Sequence, residues 1–430
     1  MVEIVIKRDG REVDFDRGKI ATAISKAFYD VDGTDISQQA QNIINKISDE
    51  IANTPKKKMS VEEIQDIVEK KLMASSRKDV AKTYILYRDE RTKIRERNSK
   101  LIKVVMDRVT STVNNRSNAN VDEKSFSGRE KEASADIEKL VALDFGGLSK
   151  EVANAHKEML IYQHDLEKAI FGIHNCLNLN FQEIFTYGFK TRNGDVRPPK
   201  SYSTACQLYA VAFQCQSQVQ FGGVGSIHSD IDLAPFVKLS FYKHYIDGEK
   251  YLNHKDLSYI EALKSSLENN KPSINDSKYF DIGSIVYTYA MEMLEREGQQ
   301  STQALYHNLN TLESRQGSQV PFTSMNVGRD TTVEGRLVTK WIMEASIDGI
   351  GEHHLTSIFP ISIFQYKQGT NANPEDKNYD LKQLALKSMS KRIYPNWCNC
   401  DWSQAHEDEN NPDTFFSTMG KCKCSPYKTF

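Results

Sequence analysis

The segment Ile4–Ile20, IVIKRDGREVDFDRGKI, sets the architecture of the N-terminal region. Val2–Lys7 is a β-branched alternation, Asp9 and Gly10 supply a polar turn, and a second short run ends at Phe15, so the segment reads as a β-hairpin. Three or four helices follow. Ile20, Ile24 and Phe28 recur at helical spacing, and Ser60 followed by Glu63 is a capping box opening a helix whose inner face is Ile64, Ile67, Val68 and Leu72. From about Arg77 a long, heavily charged helix is predicted. Thr110–Ala135 is then rich in Asn, Ser, Lys and Glu, which predicts a linker or mobile loop and a domain boundary between about Arg95 and Ala135.

Beyond that boundary, helical patterns alternate with short apolar runs at Leu177–Phe181, Val320–Met325 and Ser357–Phe364, the signature of an α/β layer architecture. At roughly 150 residues per domain, a chain of 430 residues predicts about three domains or their equivalent. Its 56 Lys and Arg against 58 Asp and Glu leave a formal charge of −2, which excludes a polybasic binder of nucleic acid or anionic membrane. No apolar run approaches the roughly 20 residues of a membrane helix, and the N-terminus lacks a signal-peptide core. Seven cysteines spread over so long a chain are thiols of a reducing compartment, so the expected location is the cytoplasm.

Four constellations carry possible chemistry. Lys7, Arg8 and Lys19 place cations beside a glycine turn and a helix start, which suits either a triphosphate cradle or a solvated hairpin tip. In IHNCLNLNF, Cys176 follows Asn175 within a short apolar segment, and a buried structural cysteine is the plain alternative to a reactive one. After RPPKS, Arg197–Ser201, a helix carries Gln207, Gln214, Gln216, Gln218 and Gln220 and exits through Gly222, Gly223 and Gly225, a glycine-rich turn able to approach a phosphate. Cys398-Asn-Cys400 and Cys422-Lys-Cys424 pair cysteines at a spacing unlike the usual two to four residues of zinc knuckles, so no metal site is assigned.

Residues Val2 to about Arg95 resemble the ATP-cone, the regulatory nucleotide-binding module of ribonucleotide reductases. The resemblance rests on Ile4–Ile20, on SVEEIQDIVEKKL from Ser60 and on YILYRDER from Tyr84. It implies that Lys7, Arg8 and Lys19 contact the nucleotide, with Gln65 near a position where other members place a histidine. ATP and dATP are the implied allosteric effectors. The same cone also occurs in a transcriptional repressor, but no zinc ribbon or basic reading element accompanies it here, so direct DNA binding is not expected.

The remainder is similar to the anaerobic, class III ribonucleoside-triphosphate reductases, which are glycyl radical enzymes. The matching text is HDLEKAIFGIHNCLNLNFQEIFTYGF at His164–Phe189, RPPKSYSTA at Arg197–Ala205 and FGGVGSIHSDIDLAPFVKLSFYKH at Phe221–His244, with further matches at Asn378–Asn396 and Asn411–Gly420. The implied fold is the first part of a ten-stranded α/β barrel around a finger loop. The implied chemistry is radical reduction of ribonucleoside triphosphates, in which a thiyl removes the 3'-hydrogen, water leaves from C2' and a second cysteine, matched by Cys176, supplies reducing hydrogen beside Asn175. Lys200, Lys243 and Phe322 match contacts to a deoxynucleotide effector at a homodimer interface. A radical-generating iron–sulfur/S-adenosylmethionine activase is the implied partner, with formate or a redox protein as reductant.

The resemblance implies domains at 1–95 (ATP-cone), 96–135 (linker), 136–420 (N-terminal part of the barrel) and 421–430 (a divergent tail). In the family a Met-Gly dipeptide runs directly into the radical cysteine and Arg. Here Met419-Gly420 is followed by Lys421, Cys422 and Lys423, a displacement of about 3.3–3.8 Å along an extended backbone. The glycyl radical loop, the four-cysteine zinc site and the rest of the barrel are expected only downstream of this sequence. The expectation is therefore a chain truncated at its radical loop and unable to turn over alone, the alternative being a catalytically silent fragment that senses ATP or dATP.

Overall fold

The computed structural model describes residues 1–8, 10–33, 36–110, 125–172, 176–402, 408, 411, 414–415, 417–419 and 422–424. The chain divides into two compact units, Met1–Asp107 and Arg108–Phe430.

In the first unit, β1 (Ile4–Ile6) and β2 (Glu12–Asp14) form the expected hairpin, with Val5 opposite Val13. Helix α1 (Arg17–Asp32) starts where Asp16 accepts the amide of Gly18 at 2.8 Å, and α2 (Gln38–Ala52) starts at a Ser37 cap. Strand β3 (Lys58–Ser60) then pairs parallel to β1, giving the sheet order β2-β1-β3. Helix α3 (Val61–Ala74) begins with the reciprocal cap read from the sequence: Ser60 Oγ accepts the Glu63 amide at 3.1 Å and Glu63 accepts the Ser60 amide at 2.8 Å. The long helix α4 (Lys78–Thr110) follows. Ile20, Ile24 and Phe28 are buried with Ile64, Val68 and Leu72 in one core, while Ile67 packs partly buried at its margin.

In the second unit, α5 (Phe126–Asp144) lies partly inside the stretch expected to be linker. Ser125 caps it by accepting the Gly128 amide at 2.9 Å, and Gly128, Lys131 and Ala135 are buried. Polar composition concealed this helix because its inner face is small residues and the stem of a lysine, which tertiary neighbours bury. After α6 (Lys150–Lys157) and a 3₁₀ turn at Leu166–Phe171 come β4 (Leu177–Asn178), α7 (Phe181–Tyr187) and a small hairpin of β5 (Phe189–Thr191) and β6 (Gly194–Val196). Then follow α8 (Tyr202–Val219), β7 (Val224–Ser226), α9 (Ser229–Tyr251), α10 (Leu257–Asn270), α11 (Ile285–Thr311) and β8 (Thr323–Val327). The series continues with α12 (Val333–Asp348), β9 (Ile361–Tyr366), α13 (Tyr379–Arg392) and β10 (Asn396–Asn399), before a terminal antiparallel pair, β11 (Ser417–Met419) and β12 (Cys422–Cys424).

The expected α/β layering is present. Strands β4, β7, β8, β9 and β10 form one parallel sheet whose spatial order follows chain order. Strands β8 and β9 begin later than their apolar runs because Pro321 and Pro360 lack the N–H a ladder requires, so pairing starts beyond them. Helices α8, α9, α11 and α12 pack on one another around a core that includes Tyr202, Tyr209, Phe213, Phe241 and Trp341. No helix among the described residues is long and apolar enough to cross a membrane.

Candidate functional site

In the first unit, a cavity of about 160 Å³ lies between the hairpin, α1 and α3. Val5, Val13, Ile20, Ala23, Ile64 and Val68 line it with apolar surface, Tyr84 adds a ring, and Lys7, Lys19 and Gln65 stand on its wall. Three of the four cone residues named from sequence therefore share one cavity. Arg8 has a different place: its Nη2 donates to Gln65 Oε1 at 2.8 Å and its Nε pairs with Glu62. Glu62 also receives Arg88 Nη2 at 2.7 Å, and Arg88 reaches Asp66 and Glu69, so a charged lattice braces α3 against α4 behind Gln65. The hydrogen bond from Arg88 is the main cause holding Glu62 below the usual carboxylate range. Lys19 stands 3.8 Å from the cap carboxylate of Asp16, an exposed pair of little energetic weight. Gly10 closes the hairpin at φ +82, where a side chain would be strained.

In the second unit, Cys176 is half-buried at the entrance to β4, where the next amide, Leu177, donates to Gly223 O at 3.0 Å. Asn175 lies outside the described residues. The strand β11 lies over this sheet. A Cβ at Gly225 would come 3.2 Å from Met419 Cγ and 2.4 Å from Asn178 Oδ1, and one at Gly223 would come 3.3 Å from Met419 Cε. The glycines thus make room for Met419, which pairs with Cys422 across the terminal hairpin. Gly420 and the side chain of Cys422 lie outside the described residues. Buried Asn326 on β8 ties sheet to hairpin by donating to Ser226 O at 2.7 Å and to Thr418 O at 3.1 Å, a role that nothing in its local sequence signalled.

Lys200 and Lys243 are exposed and belong to one corner. Lys200 precedes α8, whose first amides, Tyr202 and Ser203, donate to Ser240 Oγ at 2.8 Å and Glu297 Oε1 at 3.1 Å. Lys243 lies one turn beyond Ser240 on α9, beside His244, which meets Glu297 at 2.7 Å. Phe322 does not belong to this corner: it immediately precedes β8, with its ring 4.3 Å from the Arg315 guanidinium carbon and 5.4 Å from Phe359. Cys398 and Cys400 are buried against Ile363. Among the described residues, no group of three or more His, Cys, Asp or Glu is arranged to hold a metal ion.

A family profile described as anaerobic ribonucleoside-triphosphate reductase matches residues 117–425, and one described as ATP cone domain matches residues 3–93. The anaerobic ribonucleoside-triphosphate reductase of Haemophilus influenzae is 33% identical over 403 residues, covering 92% of this chain and 52% of the relative. Its Escherichia coli counterpart is 30% identical over 406 residues, covering 93% of this chain and 52% of the relative. The anaerobic ribonucleotide reductase from Thermotoga maritima with glycerol in the active site matches at a TM-score of 0.47 and 16% identity, over 72% of this chain and 50% of that one. The chain spans about half the length of the curated relatives it matches. With 309 of its residues under one profile, and with an ATP cone domain ahead of them, this chain belongs to the anaerobic ribonucleoside-triphosphate reductase family.

Proposed function

We propose that the first unit is an effector site for ATP and dATP, and that the second carries part of the machinery by which ribonucleoside triphosphates are reduced anaerobically in the cytoplasm. The observation that carries the reading is the convergence of Lys7, Lys19 and Gln65 on one apolar-floored cavity. An adenine ring suits the apolar floor, two ammonium groups suit a phosphate chain, and Arg8 holds Gln65 in place from behind. Reduction would use Cys176 as hydrogen donor at the strand entrance, beneath the sheet face that the Ser417–Met419 strand covers. A glycyl radical, generated by an iron–sulfur/S-adenosylmethionine activase, would supply the initial oxidising equivalent. This chain's part would be positioning: Gly223 and Gly225 leave room for Met419 and Asn326 ties the hairpin to the sheet, an arrangement that would hold reacting atoms in a dry, fixed geometry. The Lys200–Lys243 corner would take a deoxynucleotide effector at a homodimer interface.

Titration calorimetry with ATP and dATP on the full chain, paired with an anaerobic assay in which the activase and a glycyl-radical segment of the family are both supplied, tests both halves. Lys7→Ala with Lys19→Ala should abolish the cone site at which the two nucleotides compete, and Cys176→Ser should abolish any deoxynucleotide formation. Unchanged affinity in the double variant removes the cone reading. Undiminished turnover without the Cys176 thiol removes the catalytic one.

A further inference from the structure

Both lysines of the Lys200–Lys243 corner are exposed residues mounted on buried neighbours. Lys200 stands two residues ahead of Tyr202, which is fully buried, lies edge-on to Trp341 at 5.0 Å and meets Thr302 Oγ1 through its hydroxyl at 2.8 Å. Lys243 is flanked on α9 by buried Tyr242, whose hydroxyl donates to Pro272 O, and by His244.

One side chain joins the two mounts. Glu297, on α11, accepts the Ser203 amide at 3.1 Å and the Ser240 hydroxyl at 2.8 Å on Oε1, and meets His244 Nε2 at 2.7 Å with Oε2. Ser240 in turn accepts the Tyr202 amide at 2.8 Å. The first turn of α8 and the turn of α9 that bears Lys243 are thereby tied to a single carboxylate. The backbone of that carboxylate is fixed as well: a Cβ at the next residue, Gly298, would come 2.3 Å from Trp341 Cε2, so α11 meets α12 with no room to shift. Burial alone would push the Glu297 carboxyl up, but His244, Ser240 and the Ser203 amide hold it below the usual carboxylate range. Its bonds are therefore charge-assisted, and it faces the positive end of α8.

This arrangement constrains how the corner can hold an anion. The amides of Tyr202, Ser203 and Thr204 are all engaged, the last by Ser201 Oγ at 3.2 Å. A phosphate arriving at the start of α8 finds no amide among these three and depends on the ammonium groups. A lysine is a point charge on a flexible stem, so affinity depends on where the two stems begin and how firmly those points are held.

We propose that Glu297 is the positioning residue of this corner: by bonding the start of α8 and the middle of α9 to α11, it sets the separation of Lys200 and Lys243 and so tunes the affinity for a deoxynucleoside triphosphate. The inference rests on the reading of the corner as an effector site.

The test is calorimetric titration of the full chain carrying Lys7→Ala and Lys19→Ala, which silences the cone, with dGTP and with dTTP. Lys243→Ala should weaken binding about tenfold or more, as for a lost charge-assisted contact. Removing a carboxylate close to an anion site would tighten binding if charge alone mattered. Positioning predicts the opposite sign: Glu297→Ala should weaken binding by about tenfold. Glu297→Gln should return most of the affinity, since its amide oxygen still accepts from Ser203 and Ser240. Combined with Lys243→Ala, Glu297→Ala should cost less than the product of the two separate losses, because a lysine that is gone cannot be misplaced. His244→Ala should act in the same direction and serves if Glu297→Ala does not fold. No binding once the cone is silenced, or affinity unchanged by Lys243→Ala, overturns the effector reading and this inference with it. Binding that Lys243→Ala weakens overturns the inference alone if Glu297→Ala leaves it unchanged or tighter, if Glu297→Gln is no better than Glu297→Ala, or if the two losses multiply in full.

Discussion

Glu63 shows how far a single residue can be read from its neighbours. The amide of Ser60, then Lys56 and the Ser60 hydroxyl, hold its carboxylate down to about 2, from an ordinary 4.5. Because the folded value lies below the unfolded one, its contribution to stability is complete above the unfolded range and is lost as pH falls from about 4.5 toward about 2. Glu63→Gln should therefore flatten the acid limb of the first unit's stability curve in that window, measured by urea unfolding at stepped pH. An acid limb identical to the parent's would mean that the cap contributes nothing. Lys131 has the opposite history: its sequence context is a polar helix start, and only the approach of Gly317 and Arg315 makes it a buried cation.

At the scale of elements, the strongest constraint is the attachment of β11 to the sheet. Asn326 spans 100 residues to Ser226 and 92 to Thr418, using one amide nitrogen for both carbonyls. Asn326→Ala leaves those carbonyls without their donor, at a cost of about 1–3 kcal/mol for each buried group left unmade. Hydrogen exchange should then speed up in the 417–424 hairpin while α9 and α11, which pack on each other elsewhere, keep their protection. Uniform acceleration across the second unit would mean that Asn326 supports the whole core and not this attachment. The element boundaries follow similar logic. Caps such as Ser60, Asp16 and Ser201 mark helix starts from within three residues; α5 has such a cap at Ser125 too, but its inner face of small residues and a lysine stem is buried only by tertiary neighbours.

For the whole molecule, two compact units with separate cores predict two unfolding transitions. ATP should raise the transition of the first unit by about 2.7 kcal/mol at a concentration 100 times its dissociation constant, following mass action. Calorimetric scans with and without ATP check this, and the Lys7→Ala, Lys19→Ala variant should lose the shift. A single transition that moves as one with ATP would instead join the units energetically. Near neighbours and an ordered series of motifs are enough to fix the hairpin at Ile4–Asp14, the capped helices, the α/β alternation and the family. These were legible because a turn, a cap or an amphipathic face is completed within a few residues. Tertiary structure alone decided that Lys7, Lys19 and Gln65 share a cavity while Arg8 stands behind it, that Phe322 lies under Arg315, and that Lys131, Lys168 and Arg315 surround one space. The physical reason is distance along the chain: Arg315 reaches Phe221 across 94 residues and Arg8 reaches Gln65 across 57, and no local pattern records a partner that only folding brings near.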